Sequence, residues 1–180
     1  MPLLLRFWYN ISMAKRRLPH LDVSRIGDDK ALAIAAYGES VSAYRYIVLA
    51  EKSSADAMRE SLQDMVRQEN AQREAIQLLL TQIFPSACFF LTGEDKSLVC
   101  VGPRLVDARD DARFDEALRL IVASEKRSIS FYSRYALVAI NPQVKTLFER
   151  LYREGLQRIT VLRQLFYNAG KPITEACPIQ

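Results

Sequence analysis

The sequence predicts an all-α fold, and three observations carry that expectation. Apolar residues recur at three- and four-residue spacing through four long stretches. Only 6 Gly and 7 Pro occur in 180 residues, and most cluster in a few places, which favours long uninterrupted helices over strands joined by many turns. The third observation is an internal repeat: each half of the chain carries a lone Glu on one helical stretch and a Glu-x-x-Gln on the next.

Residues 1–27 show no sustained helical period and are expected to form an N-terminal arm, although Met13 before Ala14-Lys15-Arg16-Arg17 could itself be the natural start. Leu4, Phe7 and Trp8 suit either a surface anchor or an extension packed on the domain or on a partner copy. His20, the one histidine, is expected at the surface.

The bundle is expected over residues 28–170. Asp28 or Asp29 can cap a first helix running to about Ser53, and a tight Ser53-Ser54-Ala55-Asp56 connection leads into a second that ends at Phe84, before Pro85. So short a turn makes the two helices antiparallel neighbours. About 26 residues, Pro85 to Asp110, then form a crossover. Helices of this length span roughly 40 Å, and an extended chain covers that in about 12 to 13 residues. A short helix beginning near Thr92, with Asp95 in the capping-box position, fits inside the crossover, and Gly102-Pro103 closes it. The third helix is expected from about Asp111 to Ala139. Asn141-Pro142 then supplies an N-cap followed by Pro at the first position, and a fourth helix runs to about Asn168 with Gly170 as its left-handed stop. Residues 171–180 are left as a tail.

Composition limits the function classes. A content of 49% hydrophobic and 26% charged residues is that of an ordinary globular protein. The net charge of +4 is spread among interleaved acids and bases, with Lys15-Arg16-Arg17 the one compact basic run, so nucleic acid is not an expected partner. Cys88, Cys100 and Cys177 show no C-x-x-C spacing, which excludes a locally built zinc or iron–sulfur site and points to a reducing compartment. No apolar run reaches the length of about 18 residues needed to span a bilayer, so a membrane is not expected either, and the location is read as cytoplasmic.

The chemistry lies in the repeat. Glu39 shares a helix face with Leu32, Ala35, Ala43 and Tyr46, and Glu125 shares one with Leu118, Ile121, Ile129 and Tyr132; each Glu has a Tyr seven residues on. Glu69 and Gln72 fall on a stripe with Leu62, Met65 and Ile76, and Glu154 and Gln157 on one with Leu147, Leu151, Val161 and Leu165. The two halves are offset by 86 residues for the lone Glu and by 85 for the Glu-x-x-Gln. Four carboxylates converging in a poorly hydrated core must hold cations, share protons or pair with buried Arg or Lys.

Two antiparallel hairpins joined by a long crossover, with Glu, E-x-x-Q, Glu, E-x-x-Q on successive helices, resemble the ferritin-like superfamily, and most closely its rubrerythrin branch. The resemblance covers residues 28–168 and is most specific in Gly38-Glu39-Ser40, Ala43-Tyr44-Arg45-Tyr46 and Ala50-Glu51-Lys52. It implies a ferritin-like four-helix bundle with a di-metal site of two Fe or Mn ions held by Glu39, Glu69, Gln72, Glu125, Glu154 and Gln157. Glu39 and Glu125 would be terminal ligands, and Glu69 and Glu154 bridging ones. Tyr46 and Tyr132 would be hydrogen-bond donors, relay residues or packing. The implied activity is an oxidoreductase acting on oxygen or peroxide, or iron handling, with an external electron donor and a homodimeric assembly through outward Tyr37, Tyr44 and Ile47. Gln stands at both positions where the family has His. Gln is a weaker and harder donor than imidazole, and the alternative is a metal-free bundle with a structural or partner-binding role.

Overall fold

The computed structural model describes residues 22–168 and 170. Its long helices are α1 (Asp28–Lys52), α2 (Asp56–Ile83), α4 (Asp111–Val138) and α5 (Pro142–Asn168), with a short α3 (Gly93–Ser97) between α2 and α4 and a 3-10 turn at Val23–Arg25 before α1. No strand occurs among the described residues. Leu4, Phe7, Trp8, His20, Cys177 and the tail from 171 lie outside them.

Local chemistry fixes the helix ends. Thr92 and Asp95 form the expected reciprocal capping box that starts α3. The Asp110 carboxylate accepts from Arg113 N at 2.9 Å at the start of α4, and Asn141 Oδ1 accepts from Gln143 N at 2.8 Å ahead of α5. The start of α1 differs from the expectation. Gly27 occupies the cap position without a side-chain bond, and Asp28 and Asp29 sit in the first turn, where their charge suits the helix dipole. The Asp28 carboxylate turns away to accept from Tyr135 Oη at 2.7 Å, Asn141 N at 2.7 Å and Ile140 N at 3.3 Å. It therefore caps the α4–α5 turn from across the bundle.

The three-residue connection between Lys52 and Asp56 folds α2 back along α1, and the short turn after Val138 does the same for α5 on α4. Across the bundle, Tyr132 contacts Glu39 and Tyr46 contacts Glu125, so α1 and α4 run antiparallel. The segment from Phe84 to Asp110 must consequently travel the length of the bundle. It is held to α1 by an ion pair of 2.9 Å between Lys30 and the buried Asp95. Two apolar cores result. One gathers Leu32, Ile34, Ile76, Phe131, Tyr135, Phe148 and Leu151; the other gathers Leu49, Leu62, Phe114, Leu118, Leu162 and Phe166. Between these two sets every long helix places polar or small buried residues, Glu39 on α1, Glu69 and Gln72 on α2, Glu125 on α4, Gly155 and Arg158 on α5, with Val41, Ile129 and Ile159 packed beside them.

Removing the Asp28 carboxylate leaves the N–H groups of Ile140 and Asn141 without their acceptor and the Tyr135 hydroxyl with Ile26 O alone, at 3.0 Å. Asp28→Ala is expected to lower the unfolding free energy by about 2–4 kcal/mol in urea titrations, with Asp28→Asn losing less. An unchanged midpoint for Asp28→Ala would show that the α4–α5 turn holds itself.

Candidate functional site

The polar layer between the two cores is built around the guanidinium of Arg158, whose side chain is 3% exposed. Arg158 Nε lies 2.8 Å from Glu69 Oε1 and 3.3 Å from Glu125 Oε2, and Nη2 lies 3.8 Å from Glu39 Oε2. Nη1 donates to Gln72 Oε1 at 2.9 Å. Gln72 in turn donates through Nε2 to Glu154 Oε2 at 2.6 Å. Two tyrosines close the layer from above and below. Tyr46 donates to Glu125 Oε1 at 2.9 Å, and Tyr132 makes a short hydrogen bond to Glu39 Oε1. Each tyrosine thus serves the glutamate of the opposite half.

Of the six expected ligands, Glu39, Glu69, Gln72 and Glu125 come together as the sequence predicts. Glu154 does not join them; its side chain is 37% exposed, and it meets the cluster only through Gln72 while lying 4.0 Å from Arg150. Gln157 corrects the expectation outright, because it is exposed and faces away from the bundle. The reason is register. Buried positions of α2 are Leu62, Met65, Glu69, Gln72 and Ile76, and the residues 86 further on, Phe148, Leu151, Gly155, Arg158 and Leu162, are all buried on α5, together with Val144, Leu147, Ile159 and Phe166. Glu39 and Glu125, Tyr46 and Tyr132 obey the same offset. The two halves are therefore related by one offset of 86, in which Gly155 is the counterpart of Glu69 and Arg158 the counterpart of Gln72. The repeated E-x-x-Q-R, offset by 85, is out of phase by one residue and puts Val161, 46% exposed, on the wrong face as well.

Sequence reasoning missed Arg158 because arginine is by default a surface residue. The signal was present: carrying every inward residue of the first half forward by a single offset lands on it. Gly155 makes the space. A Cβ there would meet Ile129 Cγ1 at 2.7 Å, so even alanine forces a shift where α5 crosses α4, and a second bridging glutamate has no room.

These residues do not fit a metal pair. A cation already sits where the acidic side chains converge, the counterpart of Glu69 is a glycine, and no histidine is present in the layer. Among the described residues, no three His, Cys, Asp or Glu side chains are disposed to hold a metal ion.

Protons complete the electrostatics. Glu39 Oε2 and both oxygens of Glu69 are buried without a hydrogen-bond donor when all the acids are ionised. Although Glu69 Oε1 is the nearer to Arg158 Nε, the N–H of that nitrogen is aligned on Glu125 Oε2. Burial, and then the neighbouring Glu39, push the Glu69 carboxyl well above the usual carboxylate range despite Arg158. In its neutral form Glu69 has Glu39 as a hydrogen-bond partner, and one of three negative charges facing a single guanidinium is removed. Burial raises the hydroxyls of Tyr46 and Tyr132 well above the usual phenol range, with Glu125 and Glu39 respectively the next contributors, so both remain donors. Burial opposes the charge on Arg158, but Glu125, Glu69 and Glu39 outweigh it and hold the guanidinium well above its usual range.

The raised Glu69 has a definite sign. Below its unfolded value near 4.5 the carboxyl is neutral in both states; above it the folded state retains a proton that the unfolded chain releases, so native stability falls as pH rises towards the folded value. Glu69→Gln keeps a neutral donor and lacks this slope. From pH 5 to pH 8 the stability of Glu69→Gln relative to the parent is expected to rise, by at most about 1.4 kcal/mol per pH unit. A difference independent of pH in denaturant titrations would contradict a neutral Glu69.

No family model matches the chain, and no curated protein matches it. Among solved structures it is similar to a hypothetical protein from Pyrococcus furiosus, at 20% identity over 85% of this chain and 98% of that one, with a TM-score of 0.69. At that identity the likeness establishes a fold and nothing more: this chain is an α-helical bundle.

Proposed function

We propose that this protein is a metal-free bundle of ferritin-like, rubrerythrin-related type, in which a guanidinium takes the structural place of the metal ions and the chain acts as a scaffold or partner-binding module. The observation that carries the reading is Arg158, which contacts Glu39, Glu69, Glu125 and Gln72 from the fourth helix. The two hairpins, the length-spanning crossover and the lone Glu followed by Glu-x-x-Gln support the ferritin-like assignment. A metal-bearing layer needs cations to offset its converging carboxylates. Here the offset is covalent, always charged and supplied by the chain itself.

With the layer closed, function falls to the surface. The outward side of α1 and α2 carries an open groove of about 370 Å³ lined by Ile47, Ala50, Glu51, Arg59, Val66 and Arg67, an apolar floor with charged walls. Ile47, one of the residues on which a homodimer contact was expected, is 40% exposed there. Such a groove suits a helix or side chain of a partner protein.

Metal analysis of protein purified without chelator, followed by anaerobic titration with Fe(II) and Mn(II), tests the reading. The parent is expected to carry no stoichiometric metal and to give no binding heat. Arg158→Ala, which exposes three acidic side chains and the Gln72 carbonyl, is expected to gain affinity for a hard cation such as Mn(II). A parent that binds two metals per chain would overturn the proposal and return the oxidoreductase expectation.

A further inference from the structure

The end of the bundle that carries the α4–α5 turn is apolar and uncovered. Leu137 is 83% exposed, Ile140 90% and Val138 37%. The backbone beneath them is held firmly. Ala139 N donates to Tyr135 O at 2.9 Å, the N–H groups of Ile140 and Asn141 are held by the Asp28 carboxylate, and the Ala139 side chain packs on the core. These three side chains are therefore fixed outward rather than free to turn in. Apolar residues scattered singly over a surface are ordinary, whereas a group of them at one turn marks a surface that something covers.

The first described residues indicate what covers it. Val23 and Ile26 are buried in the core at this same end, and Ile26 O accepts from Tyr135 Oη at 3.0 Å, two residues before Leu137. The chain is thus anchored beside the apolar turn. Residues 9–22 separate that anchor from Leu3, Leu4, Leu5, Phe7 and Trp8, the apolar run of the N-terminal arm, which lies outside the described residues. Fully extended, so many residues reach roughly 45 Å, so the turn beside the anchor is within their range without strain. A tether of this kind gives the run an effective concentration on the order of millimolar near its anchor, which favours its own bundle over a second copy in dilute solution.

We propose that residues 3–8 dock in cis on the end of the bundle formed by residues 137–140, with Phe7 and Trp8 against Leu137 and Ile140. The drive is burial of apolar area on both sides, and the two aromatic rings bring a large area for few rotatable bonds. Neither the Arg158 layer nor the groove between α1 and α2 takes part, so the proposal is independent of the metal-free reading.

The test uses the full chain and its own probe, since Trp8 is the one tryptophan. Quenching of Trp8 fluorescence by acrylamide is measured in the native parent, in the urea-unfolded parent and in Leu137→Glu/Ile140→Glu, with circular dichroism as the check of folding. Leu105→Glu, at a residue 65% exposed in the crossover, is the control. The native parent is expected to be quenched several-fold less than the unfolded chain. The double variant is expected to lose that protection and the control to keep it. Native Trp8 quenched as strongly as in urea overturns the proposal, whether or not any variant folds. Protection that survives in the folded double variant, or in Leu137→Ser should the double variant not fold, overturns it too, because the run then packs elsewhere. Protection lost on dilution would assign the surface to a second copy, and protection that arises only with phosphatidylglycerol vesicles would assign it to a lipid surface; either result excludes docking in cis.

Discussion

One guanidinium facing three glutamates is the constraint on which the rest of this bundle depends. Glu39, Glu69 and Glu125 come from three different helices, and Arg158 from the fourth, so the layer joins all four long helices at a single point between two apolar cores. Such a layer adds little stability over an apolar one of the same shape, because the desolvation of the charges offsets most of their attraction. What it does is penalise alternatives. Sliding any helix by one turn would leave a carboxylate or the guanidinium buried without a partner, which costs several kcal/mol. The apolar cores supply the drive to collapse, and the polar layer selects the register.

The layer also explains a departure from symmetry. A bundle built from two related hairpins would carry the same residues in both halves, as it does for Glu39 with Glu125 and Tyr46 with Tyr132. On the second and fourth helices the symmetry fails in a coordinated way, Glu69 and Gln72 facing Gly155 and Arg158. The glycine gives up volume and a charge, and the arginine supplies volume and the opposite charge. Arg45, fully buried on α1, is a second break, for its counterpart 86 residues on is Phe131, an apolar core residue. Both breaks bring a buried cation into the bundle, one met by acids and the other by Ser124 Oγ, Cys100 Sγ and the Val101 and Pro103 carbonyls.

Most of the architecture was legible in the sequence because its determinants are local. Pro85, the Thr92–Asp95 box and Asn141-Pro142 mark boundaries that the structure reproduces, since capping and proline act within a turn of themselves. Glu39, Glu69, Gln72 and Glu125 were legible because each interrupts an apolar stripe. Glu154 and Gln157 were misplaced for the opposite reason. The literal recurrence of E-x-x-Q-R invited alignment by identity, whereas a helix buries residues by phase, and one residue of slip turns a side chain by about 100°. Leu147 and Phe148 are both buried, so the apolar pattern of α5 tolerates either phase, and only the polar residues tell them apart. The role of Asp28 was hidden differently: a carboxylate at a helix start reads as a cap, and its partners 107 to 113 residues away leave no local trace.

The central claim is that Arg158 is energetically bound to the carboxylates as the built-in cation of the layer. A double-mutant cycle between Arg158→Met and Glu125→Gln, measured by urea unfolding at pH 7, tests it most directly. The account predicts that each single change destabilises the protein strongly, that the pair together is much less harmful than the sum, and that the coupling is about 2 kcal/mol or more. Additive effects, with a coupling within about 0.5 kcal/mol of zero, would contradict it.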